Sequence, residues 1–135
     1  MNRVSAVVLG LVFLGHWPAA RAAPPAIALA EINYLLDFVD RSGCKFYRNG
    51  SWYDSHRAQA HLRGKYDYLV ARDRIKNAED FIDQAATQSS VSGEAYQIQC
   101  EAGPAVPSNR WLRTALSSYR ASIEQRAAPR SPVAP

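Results

Sequence analysis

Apolar residues recur at helical spacing in Ile32, Leu35, Leu36 and Val39. That spacing predicts a first helix over residues 26–42. Gly43 follows its last turn and suits the left-handed conformation that often ends a helix. The period then shortens to two. Phe46-Tyr47-Arg48 and Ser51-Trp52-Tyr53 alternate around Asn49-Gly50, a pair that tolerates positive φ at both turn positions and so predicts a hairpin. A two-residue turn sets Arg48 opposite Ser51, Tyr47 opposite Trp52 and Phe46 opposite Tyr53. Cys44, Phe46, Arg48, Ser51 and Tyr53 then share one face, and Tyr47 and Trp52 the other.

Helical spacing returns with Ala58, Leu62, Tyr66 and Leu69. Asp54 or Ser55 is placed to cap this second helix, which the pattern carries to about Ile75. Asn77 caps a third helix bearing Phe81, Ile82 and Ala85, with Asp80 at the capping-box position. Residues 89–93 are turn-rich. Residues 95–100 alternate, with Tyr96, Ile98 and Cys100 on one face and Gln97 and Gln99 on the other. Residues 103–107 read as a loop. Ser108 is expected to cap a last helix with Leu112, Ala115, Leu116, Tyr119 and Ile123 on one side. The sum is an α+β domain, about four helices packed on a three-stranded antiparallel sheet made of the hairpin and one strand.

The ends differ from this middle. Arg3, an apolar run from Val4 to Leu14, then Gly15, Pro18 and Ala20-Arg21-Ala22 make the three parts of a secretory signal. Residues 1–22 are therefore expected to be cleaved. The run is about half the roughly 20 apolar residues that a spanning helix needs, so the mature chain is expected to have no membrane span. Losing Arg3 and Arg21 leaves fourteen basic residues against twelve acidic ones, interspersed and without a Lys/Arg block, which argues against a nucleic-acid partner. Residues 127–135 contain three prolines and few large apolar groups, and are expected to form a disordered tail. One domain over 23–126 remains.

Both cysteines, Cys44 and Cys100, survive the cut. In an oxidising compartment an even count suggests a disulfide. If the strand over 95–100 runs antiparallel to the first hairpin strand, its end meets that strand's start and Cys100 falls beside Cys44. Two cysteines with no nearby histidine lack zinc-ligand spacing, and neither metal nor cofactor is expected.

These residues, taken in order, resemble a known family. The matching strings are Glu31-Ile32-Asn33-Tyr34-Leu35-Leu36, then Ser42-Gly43-Cys44 with Phe46 and Arg48-Asn49-Gly50. Ala60-His61-Leu62 with Lys65-Tyr66 follows, then Arg74-Ile75 with Ala78-Glu79-Asp80-Phe81-Ile82. Ser89-Ser90 with Ser92-Gly93, Tyr96, Cys100 and Trp111-Leu112 complete the set. The chain is similar to the bacterial domain of unknown function 5329 family of small exported proteins. The resemblance spans nearly the whole mature domain. It implies residence in the periplasm of a Gram-negative bacterium and no particular activity; the Pro-rich tail departs from it.

The polar members of those strings define a candidate site. His61 and Lys65 lie one turn apart on one helix face. Arg48 shares a hairpin face with Phe46 and can turn toward that helix, and Arg74, Ser90 and Ser92 add a cation and hydroxyls. Together they would form a small cationic cleft for a carboxylate or phosphate. The competing reading is structural. Arg48 then packs over Phe46 and pairs with an acid, and His61 bonds a backbone carbonyl. Lys65 and Arg74 are solvated heads, and the serines cap and turn. A hydrolase would use His61 as base and Ser90 as nucleophile, but Ser90 sits in neither a G-x-S-x-G nor an S-x-x-K setting. A third class, a protein-interaction module of the envelope, would use Tyr47, Trp52 and Trp111 as anchors. The sequence therefore favours a non-catalytic periplasmic binding or interaction protein.

Overall fold

A computed structural model describes residues 23–129. The expected signal over 1–22 lies outside the described residues. Of the expected tail, Ala127 is the last residue of the final helix and residues 130–135 lie outside the described residues.

The element order is α1 (Ala26–Arg41), β1 (Lys45–Arg48), β2 (Ser51–Tyr53), α2 (Ser55–Val70), α3 (Ala78–Ala85), β3 (Gln97–Gln99), β4 (Val106–Pro107) and α4 (Ser108–Ala127). The fold is α+β. The sheet is antiparallel with order β2-β1-β3-β4. It has four strands rather than three, because Ile98 pairs with Val106 and Gln97 with Pro107. A two-residue strand ending in proline carries no alternation, so it read as loop.

The hairpin register is the expected one, with Asn49 at φ 48° and Gly50 at φ 82°. β1 pairs with β3 through Lys45–Gln99 and Phe46–Ile98. The next pair outward is Cys44 and Cys100, joined as a disulfide with a Cα–Cα distance of 4.3 Å.

Helix ends follow local chemistry. Asp54 caps α2 by accepting from the Arg57 amide, while the Ser55 hydroxyl donates to the Asp40 carbonyl and ties α2 to the end of α1. α2 stops at Val70, five residues earlier than its apolar pattern suggests. Asp73 takes φ 57°, its amide bonds the Val70 carbonyl, and the Arg74 amide bonds the Leu69 carbonyl. That is a Schellman turn with Asp where Gly is commoner. Asn77 caps α3, and Asp80 reaches back one residue beyond the usual box to the Lys76 amide. Ser108 does not cap α4. It is that helix's first residue, buried, and its amide bonds the Tyr96 carbonyl.

Phe81, Ile32, Leu35, Leu36, Ile82 and Ile98 are fully buried and form the centre of the core with Leu62, Phe46 and Leu112. Arg120 on α4 clamps Glu31 of α1 and Glu79 of α3 at 2.7 and 2.6 Å. Trp111 is half-buried and packs on Phe38 and Phe46, so it covers the core. Trp52 stays 44% exposed beside Tyr47. No helix among the described residues is long and apolar enough to cross a membrane.

A cationic candidate site on the hairpin and second helix

Arg48 ends β1, His61 and Lys65 lie one turn apart on α2, and Tyr96 immediately precedes β3. The β1–β3 pairing therefore brings Tyr96 and Arg48 under the α2 face. Arg48 Nη1 lies 3.1 Å from His61 Nδ1, and His61 Nε2 lies 3.1 Å from the Tyr96 hydroxyl. Lys65 Nζ donates to the Gln88 carbonyl at 2.9 Å and to the Tyr96 hydroxyl at 3.4 Å. The guanidinium also sits 5.0 Å from the centre of the Tyr53 ring, in cation–π range.

The donor inventory orders this network. A guanidinium only donates, so the His61 nitrogen facing it must accept. Arg48 Nη1 lies 3.1 Å from Nδ1 and 3.4 Å from Nε2, and the Tyr96 hydroxyl, which can donate or accept, completes the bonding of the ring. The Tyr96 hydroxyl lies 3.1 Å from His61 Nε2 and accepts from Lys65 Nζ. The cluster is rich in donors, with five N–H groups on Arg48 and three on Lys65.

Its charge is uncompensated. All twelve acidic side chains belong to the described residues, and none forms an ion pair with Arg48 or Lys65. Those that pair do so elsewhere, as Glu31 and Glu79 do with Arg120. Burial, then the nearby charges of Arg48 and Lys65, hold the His61 imidazole below its ordinary value. Burial and Arg48 likewise lower Lys65. Burial raises the Tyr96 phenol, which remains a protonated donor.

Two hollows meet at His61. One is a cleft of about 170 Å³ lined by Phe46, Arg48, Tyr53, Ala58, Leu62 and Tyr96, among others. The other is a more open groove of about 410 Å³ lined by His61, Lys65, Tyr68, Gln84 and Ser90. The expected set is therefore divided. Arg48 faces the cleft, Lys65 and Ser90 face the groove, and His61 lines both. Ser92 belongs to neither. Its hydroxyl donates to Asn49 Oδ1 at 2.6 Å and ties the serine turn to the hairpin turn. Ser89 accepts from the Val91 and Ser92 amides, as a turn-forming serine does. Arg74 is exposed in the turn after α2 and lines neither hollow.

Both structural expectations for the pair fail in detail. Arg48 meets His61 and Tyr53 rather than an acid, and His61 bonds two side chains rather than a backbone carbonyl. No hydrogen bond joins His61 to Ser90 among the described residues; the imidazole nitrogens are engaged by Arg48 and Tyr96. Tyr96, Tyr53 and Arg57 join the site beyond the residues that the sequence pattern points to. The available signal was that a core-facing tyrosine still needs partners for its hydroxyl. No group of three or more His, Cys, Asp or Glu suited to a metal ion occurs among the described residues.

A family model described as "Family of unknown function (DUF5329)" matches residues 27–120. The chain is 38% identical over 93 residues to a Salmonella typhimurium protein named "Uncharacterized protein YfeK", covering 69% of this chain and 73% of that one. No solved structure matches.

Proposed function

Because the chain belongs to DUF5329, a family of unknown function, we propose from its site that it is an exported, non-catalytic binding protein of the cell envelope whose ligand is a small anion. The observation that carries this reading is the Arg48–His61–Tyr96–Lys65 cluster, which lines two solvent-reachable hollows with donors and no acid to neutralise them. An anion supplies the missing charge, and Arg48 offers the planar fork that suits a carboxylate or phosphate. The signal-like residues 1–22 and the joined Cys44–Cys100 pair support export to an oxidising compartment.

Calorimetric titration with inorganic phosphate and with acetate tests the binding reading. Arg48→Met should weaken either anion by at least about tenfold, the worth of a charge-assisted hydrogen bond, while its melting temperature stays near that of the parent. If neither anion binds the parent more tightly than it binds the variant, the reading fails. Export is tested separately. The periplasmic protein should begin at Ala23 and present no free thiol, whereas a cytosolic chain with its leader attached contradicts it.

A second reading, a protein partner, is favoured by Trp52, which is 44% exposed and tilted against Tyr47 at 5.3 Å. In that case Trp52→Ala abolishes co-purification of a partner from periplasmic extract and leaves phosphate binding intact.

A further inference from the structure

The cleft says more about its occupant than charge alone. Its walls include ring and aliphatic carbon from Phe46, Tyr53, Ala58 and Leu62, and its polar lining includes Arg48, Arg57, His61, Tyr96 and Ser108. A volume of about 170 Å³ compares with the roughly 150 Å³ apolar cavity that admits benzene. Phosphate or acetate alone would leave most of that apolar wall in contact with water. A ligand lacking an anionic head would leave the Arg48 guanidinium without a counter-charge.

We propose that the ligand is an arenecarboxylate, a flat apolar ring bearing one carboxylate, with the ring between Phe46, Tyr53 and Leu62 and the carboxylate on Arg48 and the Tyr96 hydroxyl. This rests on the anion-binding reading above. The division of labour follows from position. Tyr53 is already held on one side of the cleft by Arg48 and Arg57, whose guanidinium carbons lie 5.0 and 5.1 Å from its ring centre. The two guanidiniums hold the Tyr53 ring in place where it lines the cleft. Phe46 is buried in the sheet and Leu62 in α2, so the opposite walls are rigid. The Tyr96 oxygen is held by His61 and Lys65, and its residue lines the cleft. Arg48 supplies the charge. His61 touches both and acts as a positioning residue, since its ring nitrogens hold Arg48 and the Tyr96 hydroxyl.

The test uses the exported chain with its disulfide intact and three probes, benzoate, acetate and benzamide, titrated at pH 7 by calorimetry. Burying a phenyl ring should make benzoate at least about tenfold tighter than acetate. Loss of the charge should make benzamide at least about tenfold weaker than benzoate. Tyr96→Phe keeps the ring and removes the hydroxyl, which is both a donor to the ligand and the partner of His61 and Lys65, so it should weaken benzoate several-fold while leaving the melting temperature within a few degrees. Leu62→Trp, which fills the cleft, should abolish the benzoate advantage, with circular dichroism confirming the fold. Benzoate no tighter than acetate overturns the aromatic body and leaves the anion site standing. Benzamide as tight as benzoate, or no binding by any probe, overturns this proposal together with the anion reading.

Discussion

Replacing Cys44 and Cys100 together by Ala removes the covalent tie between the start of β1 and the end of β3. The bonded residues are separated by 56 positions, and in the chain-entropy description releasing a loop of that size costs about 4 kcal/mol. Cys44 is only 5% exposed, and Ala avoids placing a hydroxyl there. A domain of this size has a total stability of about 5–15 kcal/mol, so much of the margin is at stake. At about 4–8 °C per kcal/mol for a chain near 100 residues, the melting temperature should fall by about 15–30 °C. Urea unfolding adds a second signature. The unlinked denatured chain is less compact, so the slope of stability against urea should rise as the midpoint falls. The assay is paired thermal and urea melts of parent and double variant, with the reduced parent as a third sample. A loss below about 1 kcal/mol, or a reduced parent that melts like the oxidised one, refutes the assignment of stability to this bridge.

Arg120→Ala leaves Glu31, whose side chain is 8% exposed, without its partner. The cost should be about 2–3 kcal/mol, below the full buried-pair value because Arg120 itself is 43% exposed; urea melts showing no loss contradict the clamp. His61 provides a pH test. Its ordinary value is 6.5, and burial first, then Arg48 and Lys65, lower it in the folded state. The unfolded chain therefore takes this proton more readily, so stability is full above pH 6.5 and falls as pH drops from there through the folded-state value. The neighbours facing the imidazole are Arg48 from β1, Lys65 from its own helix and Tyr96 from the segment before β3. His61→Gln should flatten the decline in melting temperature between pH 7.5 and 5, and identical declines in both proteins contradict the network. His56, raised by its bond to Asp40, titrates alike in both and drops out of the comparison.

Much of this architecture is carried by short-range signals. Asn49-Gly50 determines a register that the alternation of Phe46, Tyr53 and Ile98 reinforces, and that register brings Cys44 to Cys100. The end of α2 was not legible, because Asp73 performs the left-handed stop usually performed by Gly and leaves Ile75 to pack from outside the helix. β4 was hidden because its two residues have no period. The site was half legible. Spacing brings His61 and Lys65 to one face, and strand alternation points Arg48 the same way. Tyr96 was hidden because its ring belongs to the core while its hydroxyl belongs to the site, and alternation reports only the ring. Arg74 and Ser92 share the chain's motifs without sharing its cleft, since motif order along a chain does not specify which turns meet.

The central claim is that Arg48, His61, Tyr96 and Lys65 form one donor cluster awaiting an anion. Nitrogen-15 NMR of the imidazole and guanidinium during a benzoate titration tests it most directly. Saturable nitrogen shifts at the Arg48 guanidinium and the His61 imidazole are expected as benzoate is added. Shifts that never saturate and spread over the exposed arginines contradict it.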